Sequence, residues 1–452
     1  MNSSLFRAAS ACAPMLLATA CATGRASYDT MQAEYGRAAT ETQEAFADDS
    51  PLARGVLDRR ALVAAVVARN PSVTAARESW RAALARYPQA GRYEDPHVSV
   101  GVAPLSIGAG ANVPFGYELS ISQAFPFPGK VSVEKAAAVA EADAAQMDWE
   151  GARLQLALMA SLLFDDYYVA ARSLEVNDHH RALLGELRAT ATTAYETGHA
   201  SAQDALAADV ELVRTERERL SITSARDVTI AQINELLHRD PAAPLAPPPA
   251  TLTPPVPLDA RSAADLSSEA LARRPDLAAA RAKVRAAAAR ADVARKEYWP
   301  DLEIMTGYDS RMTMPEHQWI VGVGLAVPLQ VGRRNAAIDE ADADRRRSEA
   351  DVASLEDGAR GAVAVALRRL REARDVAALY ETRLVPAARA QVDAARAGFV
   401  ASQNGFAEVM MAEKGLRGAE LEVEMARADV DRREAELERA VGRASGSKGG
   451  AP

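Results

Sequence analysis

Ala68-Arg69-Asn70-Pro71-Ser72-Val73-Thr74-Ala75-Ala76-Arg77 reads again as Ala272-Arg273-Arg274-Pro275-Asp276-Leu277-Ala278-Ala279-Ala280-Arg281, 204 positions further along the chain. The same offset carries Pro96 onto Pro300, Val98 onto Leu302 and Val100 onto Ile304. Farther on, Ala124-Phe125-Pro126-Phe127 aligns with Ala326-Val327-Pro328-Leu329, and Gly198 and Gln203 meet Gly398 and Gln403. An offset that drifts by only a few residues over so long a stretch means that one structural unit is written twice. Between the copies, residues 240–260 hold eight prolines, which cannot continue a helix and read as an extended connector. The organisation predicted is a first repeat over 58–239, a Pro-rich linker over 240–260, a second repeat over 261–443, and a flexible tail over 444–452.

Each copy reads as a helix, two strands, a long helix, a turn and a returning helix. The first helices are expected at roughly 60–92 and 264–297, restarting or bending at Asn70-Pro71 and Arg274-Pro275. Alternation of period two follows: Val98, Val100 and Val102, then Leu119 and Ile121, and in the second copy Leu302 with Ile304, then Val321, Val323, Leu325 and Val327. These segments predict β-hairpins over 96–127 and 300–329. Long helices then start after Gly129-Lys130 and Gly332-Arg333, the first running to about Tyr195 without an internal proline. A helix of some 65 residues is about 100 Å long and belongs in a coiled coil, here predicted as coiled-coil hairpins over 130–237 and 333–441. The fold class is mainly α with a small β part.

Composition narrows the function. The chain of 452 residues is 48% apolar with only 5% aromatics, which suits closely packed helices rather than a bulky core. A net charge of −9 argues against a nucleic-acid binder. No run of 18 apolar residues exists, so no helix spans a bilayer. Arg7 and the apolar run to Ala20 have the layout of a signal peptide over 1–20. Leu17-Ala18-Thr19-Ala20-Cys21 also resembles a bacterial lipobox, in which Cys21 would be the acylated anchor of an N-terminal segment over 21–57. Simple cleavage beside an incidental cysteine is the alternative. There is no GxSxG, HExxH, phosphate loop or dinucleotide fingerprint, so catalysis is not expected and no cofactor is implied. His179 and His180 point about 100° apart on a helix, and Met305, Met312, Met314 and His317 read as apolar or loop residues, so no metal site is assigned.

Four strands per chain cannot close a barrel, and an open edge inside a bilayer leaves backbone groups unpaired. Either the strands form a soluble subdomain of a lipid-anchored periplasmic scaffold, or two, three or four chains pool them. Ser122-Gln123-Ala124-Phe125-Pro126-Phe127-Pro128-Gly129-Lys130, Val327-Pro328-Leu329-Gln330-Val331-Gly332-Arg333 and the turns ending at Gly198 and Gly398 resemble, in their duplicated order, the TolC-type outer-membrane factor family. Within it the chain is most similar to the lipid-anchored factors of heavy-metal efflux pumps. The resemblance covers about residues 58–442. It implies a homotrimer in the outer membrane, with a 12-strand transmembrane β-barrel continued by a periplasmic α-helical barrel. It also implies a periplasmic adaptor and an inner-membrane RND-type pump as partners, and export of cargo, metal cations first and small organic toxicants or drugs second.

The resemblance further implies adaptor-contact tips at Gly198, Ser201, Gln203 and Leu206, and at Gly398, Ser402, Gln403 and Phe406. Read from local chemistry alone, each glycine is a left-handed helix cap and each serine caps the next helix. An entrance gate is implied at Asp204, with Asn404 and Glu408 in the second copy; a solvated, acid-rich first turn is the plainer reading.

Overall fold

The computed structural model describes residues 24–40, 52, 55–104, 115–197, 201–252, 260–401 and 403–443. The signal peptide, Cys21, Gly198, Ser402, positions 253–259 of the linker and the tail lie outside these residues. Residues 24–40 are helical (α1). The first repeat continues with α2 (Arg59–Arg69), α3 (Pro71–Leu84), the short α4 (Arg86–Ala90), β1 (His97–Val102), β2 (Tyr117–Phe125), α5 (Lys130–Glu196) and α6 (Ala202–Leu236). The second supplies α7 (Ala263–Arg273), α8 (Pro275–Lys296), β3 (Leu302–Asp309), β4 (Trp319–Leu325), α9 (Val331–Leu379), α10 (Val385–Val400) and α11 (Phe406–Val441).

The prolines divide the opening helices as their chemistry requires. Asn70 ends α2 with ψ 127°, the extended conformation that a following proline imposes. Its Oδ1 then accepts from Ser72 N at 2.9 Å and Ser72 Oγ at 2.7 Å, so the residue whose backbone closes α2 caps α3 with its side chain. Arg274, ψ 122°, separates α7 from α8 in the same way. The long helix of the first repeat is unbroken, whereas that of the second is interrupted. A π-turn at Tyr380–Leu384 splits it just before Pro386. Proline has no N–H to donate and its ring crowds the carbonyl four residues back, here Thr382, so the wider turn removes the clash.

The chain forms two compact units, each drawing on both repeats. One comprises Met1–Arg37, Arg77–Asp148 and Asp276–Ser354 and contains the sheet. Its order is β1-β2-β3-β4, antiparallel throughout, so the two hairpins join through β2 and β3 and leave β1 and β4 as open edges. Helix α1 docks here through aromatics: Tyr28 stacks on Tyr87 at 4.4 Å, and Tyr35 meets the edge of the buried Trp80 at 5.5 Å while donating to Glu78 at 2.9 Å. Alanines on α5, among them Ala138, Ala142 and Ala144, are buried, which is how small side chains let helices approach closely.

The other unit comprises Ala38–Ala76, Trp149–Pro275 and Leu355–Pro452. Leu266 of α7, Val363, Leu367 and Leu370 of α9, and Leu437 and Val441 of α11 make one dry cluster there. Burying each such side chain is worth about 1.5–3 kcal/mol. Gly442 ends α11 at φ +84°, and a Cβ on it would lie 3.0 Å from the backbone of Arg274, so glycine serves both the left-handed cap and the close approach.

Candidate functional site

Two regions carry surfaces with no obvious structural purpose: the sheet, and the tips of the coiled-coil hairpins. On the sheet, directly paired residues share a face. The register aligns Val98 with Ile121 and Thr306 with Val321, and aligns Val100 with Leu119, Tyr308 and Trp319. Leu302, Ile304, Val323 and Leu325 extend this face. It is apolar across four strands yet open to solvent, Val321 being 78% exposed and Val100 70%. The opposite face carries Ser99, Ser120, Ser122, Glu118, Glu303, Met305, Asp309 and the glycines Gly101, Gly307, Gly322 and Gly324. Here Ser99 and Ser120 exchange a hydrogen bond of 2.6 Å, and Arg311 bridges Glu118 at 2.9 Å and Asp309 at 2.8 Å.

Aromatic residues gather at both ends of the sheet. At the loop end Tyr117, Tyr308 and Trp319 lie in sequence, with centroids 5.9 and 5.5 Å apart, and Phe115 adjoins Tyr117. At the helix end Phe127 stacks on Trp299 at 4.8 Å and Tyr93 meets Phe125 at 5.5 Å. Tyr117 to Phe125 spans about 26 Å along the strand, or about 20 Å of height at a 40° tilt, close to the ~25 Å apolar band between the aromatic girdles of a transmembrane barrel. Periodicity does not reveal these aromatic clusters, because Phe115, Phe127 and Trp299 lie outside the alternating segments.

At the first tip Ser201 is the N-cap of α6, and Asp204 Oδ2 accepts from Ser201 N at 3.2 Å and Ser201 Oγ at 3.1 Å. The Asp204 carboxylate therefore serves the capping of its own helix. The second tip is built differently. Gly398 is helical, within α10, and is not a left-handed cap; its carbonyl accepts from Gln403 N at 2.8 Å and Asn404 N at 3.2 Å. A Cβ on Gly398 would run into the Asn404 amide, which would have to swing aside. Gly405, with φ −78°, is the N-cap of α11. The matched apolar positions diverge: Leu206 is 62% exposed, whereas Phe406 is 3% exposed and packs on Ala191, Ala208 and Phe399. Phe406 thus holds the two tips together, and its side chain is not part of the exposed surface. Gln203, Gln403, Asn404 and Glu408 are exposed. Among the described residues no hydrogen bond or ion pair joins Asp204 to Asn404 or Glu408.

Behind the tips lie two buried polar centres that the sequence does not advertise. Asn177 donates to the Thr215 carbonyl at 3.4 Å beside buried His180, and Arg417 pairs with Glu218 at 2.8 Å. Burial, then the Arg417 charge, lowers His180 to about 4, so it is neutral; neighbouring His179 is exposed and the two do not converge on one ion. In the second centre Arg59 of α2 reaches Asp165 of α5 at 2.8 Å and Asp431 of α11 at 3.2 Å. Burial raises Asp165 to about 8, against the pull of Arg59, and raises Asp431 to about 6. Met305 sits on the polar face of β3, while Met312, Met314 and His317 lie in the loop before β4. Among the described residues no group of three or more His, Cys, Asp or Glu side chains could hold a metal ion, and no helix is long and apolar enough to cross a membrane.

Comparison with known proteins defines the class. Residues 266–443 match the family described as outer membrane efflux protein. No curated protein matches the sequence. The fold is that of a membrane protein from Pseudomonas aeruginosa, at a TM-score of 0.73 and 20% identity over 87% of this chain and 92% of that one. CusC, a former of transmembrane channels, gives 0.72 at 17% identity over 86% and 92%, and the outer membrane protein VceC of Vibrio cholerae gives 0.70 at 19% over 85% and 96%. The chain therefore has the fold of the TolC-type outer-membrane channels, mainly helical with a small antiparallel sheet.

Proposed function

We propose that three copies of this chain form an outer-membrane exit duct that receives cargo from a periplasmic adaptor and an inner-membrane RND-type pump. The observation that carries this reading is the two-faced sheet with open edges. An exposed apolar face of this breadth in water would be a liability, and edges at β1 and β4 invite pairing with another chain. Pairing β4 of one copy with β1 of the next removes every edge, turns the valines to lipid and the serines and carboxylates to a water-filled lumen. Three copies supply twelve strands. Transport, not catalysis, is the activity, and an acyl chain on Cys21 would add a second hold on the membrane.

The tips are the proposed adaptor contacts, at Gly198, Ser201, Gln203 and Leu206 and at Gly398, Ser402 and Gln403, with Phe406 shaping the second tip from within. Leu206 supports this, because it begins an exposed stripe on α6 that continues through Val210, Val213 and Leu220 at coiled-coil spacing. Asp204, Asn404 and Glu408 are the proposed entrance residues, with Asp204 acting through the cap it makes. Metal cations are the proposed cargo, with small organic toxicants second. The test is single-channel conductance of the purified mature protein in planar bilayers together with its mass in detergent. Discrete steps from a three-protomer species are expected. A monomer or dimer that inserts without conductance would leave the lipid-anchored scaffold as the better account.

A further inference from the structure

The polar face of the sheet is not evenly charged. At its loop end Glu118 and Asp309 face each other in register and share Arg311. Just beyond the helix end, Asp301 is held by Lys130 at 2.7 Å. Glu303 lies between them and, among the described residues, has neither an ion-pair nor a hydrogen-bond partner for its side chain. Opposite it the wall is bare: Glu303 pairs with Gly324, and even a Cβ at residue 324 would only touch it, at 3.4 Å from Glu303 Cβ and 3.5 Å from Glu303 Oε2. The carboxylate therefore stands beside β4 with no β4 side chain covering it. Gly322 makes the same room for Met305, whose Cγ would be 2.9 Å from a Cβ there. Two adjoining rows of β4 are thus bare on this face, and beside one of them lies the half-buried, unpaired Glu303.

We propose that Glu303 is a charge-selecting residue of the duct wall, one from each of three copies forming a ring that favours cations over anions. This rests on the reading of the sheet as one third of a barrel. Twelve strands about 4.8 Å apart, tilted about 40°, close at a radius of about 12 Å, which brings each carboxylate to about 8 Å from the axis. That distance is comparable with the screening length at 0.1 M salt, so the ring acts at the centre of the pore and not only at its wall. Three unit charges at that distance enrich a monovalent cation on the axis about threefold at 0.1 M, about sevenfold at 0.01 M, and hardly at all at 1 M. Divalent cations feel the square of these factors, which fits the proposed cargo class.

The experiment is the reversal potential of single channels across a tenfold KCl gradient, at 10/100 mM and again at 0.1/1 M. The parent channel is expected to prefer potassium, more strongly in the dilute pair. Glu303→Gln should cut that preference at least threefold in the dilute pair with conductance steps retained, and Glu303→Lys should reverse its sign. Ala124→Lys, which puts a cation opposite Glu303 in the register, should reproduce the loss without touching Glu303. Glu316→Gln, in the exposed loop before β4, should change nothing. Channels that conduct but keep their selectivity in both Glu303→Gln and Ala124→Lys overturn the ring while leaving the duct intact. A parent protein that never conducts overturns the duct, and the ring with it.

Discussion

Replacing Asp165 by asparagine should stabilise the protein at neutral pH, the reverse of the usual result of breaking an ion pair. Asp165 is fully buried, its Oδ1 has no hydrogen-bond partner, and the one arginine it touches is shared with Asp431. Burial raises its pKa to about 8 from 3.8. At pH 7 an unfolded Asp165 is ionised and the folded one holds a proton, so folding must take that proton from solution at a cost of about 4 kcal/mol. Asparagine keeps the size and an acceptor for Arg59 and carries no such cost, so a gain of about 2–4 kcal/mol at pH 7 is expected. The sign with pH follows. A folded pKa above the unfolded one gives stability that is full below about 3.8 and lost as pH rises toward 8, at about 1.4 kcal/mol per unit. From pH 5 to pH 7 Asp165 alone removes about 3 kcal/mol in the parent and nothing in the variant. Buried His180, lowered to about 4, contributes the opposite slope between about 4 and 6.5. It does so in both proteins, so the difference between them isolates Asp165. The assay is thermal denaturation by circular dichroism in detergent at pH 5, 6, 7 and 8 at one scan rate. With an unfolding entropy of about 2 cal/mol/K per residue, about 3 kcal/mol moves Tm by about 3 °C. The reasoning fails if Asp165→Asn lowers Tm by the same amount at every pH, since that is the signature of an ionised, net-stabilising pair.

Other outcomes follow from the same coordinates. Arg59→Met removes the one cation that contacts both Asp165 and Asp431 and should cost about 3–5 kcal/mol at pH 8, with partial recovery at pH 5 as both acids take up protons, read from the same melts. Val323→Lys puts a charge on the apolar face and should cost about 2–4 kcal/mol on insertion; the fraction of trimer resistant to dissociation on semi-native gels measures it. Leu206→Asp should leave stability within about 0.5 kcal/mol yet abolish efflux-dependent resistance in cells carrying the pump and adaptor, whereas Phe406→Ala should lower Tm through loss of about 3–5 kcal/mol of packing. Equal stability losses for the two would refute their assignment to opposite sides of the tips.

The duplication, the order of elements in each copy and the alternation of apolar and polar positions along the strands are all legible in the chain, because each is periodic or repeats at a fixed offset. So are the helix breaks before Pro71 and Pro275, since proline acts on its immediate neighbours. Pro386 obeys the same local rule, but whether a helix answers by ending or by widening into a π-turn depends on what packs beside it. Leu206 and Phe406 stand at equivalent positions of the two repeats and still face opposite ways, because only Phe406 has Phe399, Ala191 and Ala208 to pack against. The Phe127–Trp299 stack and the Arg59 centre each join residues more than a hundred positions apart in sequence. Periodicity carries information about neighbours three or four positions away. Charge balance, burial and the space around a side chain depend on residues a hundred or more positions distant, and those the folded chain alone brings together.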